Sequence, residues 1–97
     1  MSSFPAEELT FLRLVEQTFL MLKGSGHMLS PKDVELVRGW EGSGVPVSVV
    51  CGSLEASFEA FRRANGDGAS SPRSLAYCAP AVEEGIRGWL ARRVVPS

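Results

Sequence analysis

The sequence predicts an all-α fold, a small bundle of four main helices with a short extra helical turn before the last. Glycine-rich breaks at Gly24-Ser25-Gly26, Gly42-Ser43-Gly44 and Asn65-Gly66-Asp67-Gly68 cut the chain into four segments, each break suited to a turn or a helix C-cap. Within the segments, apolar residues recur at spacings of three and four, the helical period. Prolines stand where helices begin, at positions whose N–H has no helical partner. With 97 residues, the chain is a single domain, residues 1–97, and a chain of this size buries roughly two-thirds of the surface it exposes when unfolded. That allows one modest core.

The first helix is expected over about residues 5–23. Pro5 would start it, and Glu7 and Glu8 would complement its dipole in the first turn. Leu9, Leu12, Val15, Phe19 and Leu22 form its inner stripe, while Phe11, Leu14, Leu20 and Met21 widen that stripe until little of the helix is polar. The second helix, about 31–41, has the strongest start signal: Ser30 as cap, Pro31 at the first position and Asp33 completing a capping-box pattern. Val34, Val37 and Trp40 share a face of it.

The third helix, about 46–64, follows Val45-Pro46 and carries Val47, Val50, Cys51, Leu54, Phe58 and Phe61 in one stripe. The stretch from Val45 to Cys51 is β-branched enough to suggest a strand, but the proline and the unbroken stripe to Phe61 decide for helix. In the fourth segment, Pro80 is expected to break any helix running through it. The expectation is therefore a short turn over 72–77, a main helix over 81–93 and a tail at 94–97. Val82, Ile86, Trp89 and Leu90 form the buried face of that helix, and Gly85 and Gly88 imply close approach of a neighbour.

The 44% apolar and 22% charged fractions are those of an ordinary globular protein. A net charge of -1 lacks the basic excess usual in a dedicated nucleic-acid binder. No apolar run approaches the ~20 residues of a membrane span, and the N-terminus lacks the charged start and apolar run of a secretory signal. A cytoplasmic protein is expected, with Cys51 and Cys78 as buried, reduced thiols.

No catalytic, metal or cofactor site is expected. His27 is the sole histidine, so neither a metal cluster nor a nucleophile–base pair can be assembled around more than that one residue. Glu83 and Glu84 sit where a first turn is expected, and the glycine-rich breaks lack the spacing and lysine of a phosphate loop. Tyr77 is read as a hydroxyl tying down a corner.

The run Leu29-Ser30-Pro31-Lys32-Asp33-Val34-Glu35-Leu36-Val37-Arg38-Gly39-Trp40, followed by Gly44-Val45-Pro46 and Val47-Ser48-Val49-Val50, resembles the C-terminal helical domain of the DnaD-type bacterial primosome proteins. The spacing of Val82, Ile86 and Trp89 is similar to that family's closing motif. The chain departs from it at Ala81, where the family has tyrosine, at Gly85 and at Pro80. The resemblance spans about residues 29–90, and it implies DNA binding on the last helix and tail, here Arg87, Arg92 and Arg93.

The function expected is a non-enzymatic protein-interaction module that docks through an apolar helical surface onto a protein partner or a second copy. Phe11, Leu14, Met21 and Trp40 are the candidate contact residues, because a domain this small can hardly cover so apolar a first helix. The alternative is a DNA-associated replication or recombination accessory module, using Arg62, Arg63, Arg73, Arg87, Arg92 and Arg93.

Overall fold

The computed structural model describes residues 10–66, 72 and 74–93. Those residues form four helices and no strand: α1 (Phe11–Lys23), α2 (Pro31–Gly42), α3 (Val47–Asn65) and α4 (Leu75–Arg93). The helices close into a ring. α3 packs along α4 and against α1, while α2 bridges α1 and α4. Val15, Phe19, Val37, Trp40, Val50, Leu54, Phe58, Leu75, Cys78, Val82 and Ile86 meet in the middle.

α1 starts later than its sequence suggests. Thr10 is extended, with φ -66° and ψ 157°, and its hydroxyl oxygen accepts the Arg13 N–H at 3.2 Å. A side-chain cap on an extended residue ends the helix there, so Thr10, not Pro5, sets its start. Pro5, Glu7, Glu8 and Leu9 lie outside the described residues. At the other end Gly24 takes φ 82° and its N–H bonds Leu20 O at 2.8 Å, a left-handed C-cap that suits glycine.

α2 begins at the expected cap, with the Ser30 hydroxyl oxygen accepting the Asp33 N–H at 3.2 Å. α3 buries Val50, Leu54 and Phe58 as its stripe requires, and Val47, Cys51 and Phe61 are half-buried at its flanks.

α4 corrects the reading of the fourth segment. Pro80 lies inside one continuous helix, not before it. Its missing N–H forfeits one bond, to the carbonyl of Ala76, and both residues face solvent. Leu75, Cys78, Val82 and Ile86 recur at three and four residues, each at most 7% exposed, so both sides of the proline are bound to the same core. Glu83 and Glu84 are accordingly mid-helix residues and not first-turn ones, and Glu84 pairs with Arg87 at 3.0 Å. Trp89 is only half-buried, with the Arg93 guanidinium 4.8 Å above its ring, and Leu90 is exposed.

α3 and α4 run antiparallel. Phe61 meets Tyr77 edge-to-face at 5.5 Å near one end, and Gly85 lies beside Ser53 and Val49 near the other. Tyr77 thus contributes its ring, and it stands in the helix and not in a corner. Gly85 has the close neighbour its sequence context implies, since a Cβ there would collide with the Ser53 hydroxyl. Gly88 does not: a Cβ would meet only Arg92 of its own helix.

Candidate functional site

Three surfaces are candidates: the outer edge of α1, the arginines of α3 and α4, and the groove between the starts of α2 and α4.

At 100° per residue, Phe11, Leu14, Thr18 and Met21 fall within about 80° of one another on α1. The edge borders α3, where the Thr18 hydroxyl donates to Cys51 Sγ at 3.3 Å and the Cys51 thiol donates to Leu14 O at 3.9 Å. Phe11 is half-buried and packs on the core, Leu14 is half-buried, and Met21 stands out at 71% exposure. Gln17 is the next residue outward, so this side of the helix carries no charge from Phe11 to Met21. Trp40 does not belong to it. At 4% exposure it is a core residue, held inward by its position seven residues beyond Asp33 and three beyond Val37 on the buried face of α2. It cannot anchor a partner.

The arginines do not gather. Arg62 and Arg63 both reach Glu59, at 3.0 and 3.9 Å, and Arg87 reaches Glu84. Arg93 lies over Trp89. Because α3 and α4 are antiparallel, Arg62 and Arg63 sit at one end of the pair and Arg92 and Arg93 at the other, about 24 Å apart at ~1.5 Å per residue. Arg73 lies outside the described residues.

The third surface was not legible as a site from sequence. A groove of about 710 Å³ is lined by Ser30, Lys32, Asp33, Glu35 and Leu36 of the α2 start and by Ser74 and Ala76 of the α4 start. Asp33 is only 7% exposed. Its backbone N–H donates to the Ser30 hydroxyl oxygen, and among the described residues no buried side-chain nitrogen or oxygen lacks a hydrogen-bond partner. The available signal was spacing: Asp33, Val37 and Trp40 share a face at four and three residues, so the core stripe of α2 begins on an acid.

Behind Asp33 lies Cys78, fully buried. Burial pushes its thiol up from the ordinary value of 9.0, the Ser57 hydroxyl opposes this by hydrogen bonding, and the Asp33 charge adds to the rise. A raised folded-state value favours the neutral thiol, so its stabilising contribution is complete below the unfolded thiol's pKa and is lost as pH climbs through the folded one. Denaturant melts should therefore show stability falling above about pH 9, and the Cys78→Ala variant should lose that part of the slope; an unchanged slope would contradict it.

His27 is exposed in the α1–α2 loop, and among the described residues no three His, Cys, Asp or Glu side chains converge. No described helix is long and apolar enough to cross a membrane.

A family model described as an uncharacterised protein matches residues 10–96 of the chain. No curated protein and no solved structure matches it.

Proposed function

We propose that this chain, which belongs to the uncharacterised family matched over residues 10–96, is a non-enzymatic protein-interaction module that docks through the outer edge of α1. The observation that supports it is Met21, a thioether side chain 71% exposed at the end of an uncharged edge that also holds Phe11 and Leu14. Methionine adapts to irregular apolar partners and makes favourable contacts with aromatic rings.

The partner that this edge fits is a second copy of the chain. An antiparallel pair of α1 helices about a two-fold axis sets Phe11 of one copy near Met21 of the other, with Leu14 between, and an uncharged strip meets its own copy without repulsion. Such an edge, about 15 Å long, is well short of the roughly 800 Å² per partner of a stable interface, so the association is weak.

The variants that test this are Met21→Glu and Leu14→Gln, chosen because Met21 touches little of the core and Leu14 is half-buried. Phe11 is unsuitable as a test because, half-buried on the edge, it also packs against the core, and a polar residue there would lower stability. Both variants should keep the wild-type melting temperature within a few degrees and lose self-association. Variants that associate as the wild type does would remove the α1 edge from the account.

A further inference from the structure

We infer that the α1 edge is a redox-sensitive surface, on which conversion of the Met21 thioether to its sulfoxide by a peroxide abolishes self-association. The inference rests on the reading of this edge as a self-docking surface and adds its regulation. Two observations carry it. Met21 is 71% exposed on an edge without charge, and the core cluster of the described residues contains no methionine. A peroxide in solvent therefore reaches the sulfur on the edge while sparing the packing that holds the helices together. Met28 is as open, at 73% exposure, but it stands outside α1 in the loop that follows, so the two methionines differ in place and not in access.

The chemistry is the transfer of one oxygen atom. A sulfur lone pair attacks one oxygen of hydrogen peroxide, the O–O bond breaks and an S–O bond forms. The sulfur loses two electrons to the peroxide, and the departing hydroxide takes the proton of the transferred oxygen and leaves as water. The product is a polar side chain where an apolar one stood. In the antiparallel pair Met21 of one copy lies near Phe11 and Leu14 of the other. A thioether makes favourable contacts with an aromatic ring. The sulfoxide oxygen would instead be buried among side chains that offer it no donor, and an unpaired buried acceptor is costly. Because the pair is weak, monomers present Met21 to the oxidant, and those that react do not pair again.

The test is sedimentation equilibrium of the full chain, as wild type and as Met21→Leu, each before and after limited treatment with hydrogen peroxide. Peptide mass spectrometry reports which sulfurs have reacted. Untreated, both proteins should associate alike, since leucine keeps the edge apolar. Oxidation should raise the wild-type dissociation constant roughly tenfold or more, with the melting curve unchanged. It should leave Met21→Leu as it was, although Met28 and the thiols of that variant meet the same reagent. Methionine sulfoxide reductases should restore association to the oxidised wild type. An untreated wild type that stays monomeric would refute the α1-edge reading, and this inference with it. An untreated wild type that associates, but no less so once oxidised at Met21, would overturn the inference alone. So would an equal loss in oxidised Met21→Leu, or a Met21 left intact while Met28 is converted.

Discussion

Replacing Trp40 with alanine should cost about 3–5 kcal/mol, the range for removing a large aromatic from a closed core. Its 4% exposure leaves no surface for the lost atoms to have contacted outside the domain. Its neighbours on the α2 face, Asp33 and Val37, are buried too, so the helix cannot slide inward to fill the cavity without burying more charge. A small domain has only about 5–15 kcal/mol of total stability, so thermal melting followed by circular dichroism should shift down by more than about 12 °C. Trp89→Ala should cost far less, because that ring is half-exposed and shares its face with Arg93. A Trp40→Ala variant that melts with the wild type would place Trp40 at an interface and not in the core.

Gly85→Val should cost about 1–3 kcal/mol, the usual penalty for overfilling a packed contact. The first added carbon already collides with the Ser53 hydroxyl and lies 3.6 Å from both Ser53 Cβ and Val49 Cγ1, so two further methyls have nowhere to go between α3 and α4. Gly85→Ala is a finer case. Ser53 can turn its hydroxyl away by giving up its 2.8 Å bond to Val49 O, a net loss of about 1 kcal/mol. Alanine gains roughly as much over glycine in a helix interior, so the single substitution should be close to neutral. In a Ser53→Ala background the collision is gone and the remaining 3.6 Å contacts are ordinary, so Gly85→Ala should then stabilise by about 0.5–1 kcal/mol. Urea melts of the four proteins give the coupling directly; additive effects would mean that the helices do not approach at Gly85.

Helix number, the Ser30 cap, the inward face of α3 and the Val37–Trp40 part of the α2 face were legible because local patterns set them, whereas on α2 Asp33 is buried and Val34 only half-buried. Ser30-Pro31 fixes a start wherever the chain goes next, and a stripe such as Val50, Leu54 and Phe58 can be buried in only one way. What failed were places where tertiary packing outweighs a local rule. Pro80 reads as a break, yet Leu75 and Cys78 before it and Val82 and Ile86 after it are drawn to one core, and one lost bond in solvent is a small charge against four buried side chains. Pro5 reads as the start of α1 because nothing in the sequence around Thr10 signals that it caps.

The candidate surfaces were legible in part. Phe11, Leu14 and Met21 do share an edge, because helical geometry alone places them there, whereas Trp40 could not be told from an interface tryptophan without its neighbours. The arginines could be counted in sequence but not gathered, since their spread depends on the antiparallel course of α3 and α4. Asp33 reads as part of a cap in sequence, because the groove it lines exists only once α4 lies across α2.

The measurement that bears most directly on the α1 edge is sedimentation equilibrium of the wild type and Met21→Glu across concentrations from micromolar to about 1 mM. A weak dimer, with a dissociation constant of roughly 0.1–1 mM, is expected for the wild type from an interface this small, and a monomer throughout for Met21→Glu with an unchanged melting curve. A wild type that is monomeric at the highest concentration, or a Met21→Glu variant that dimerises equally, would contradict the account.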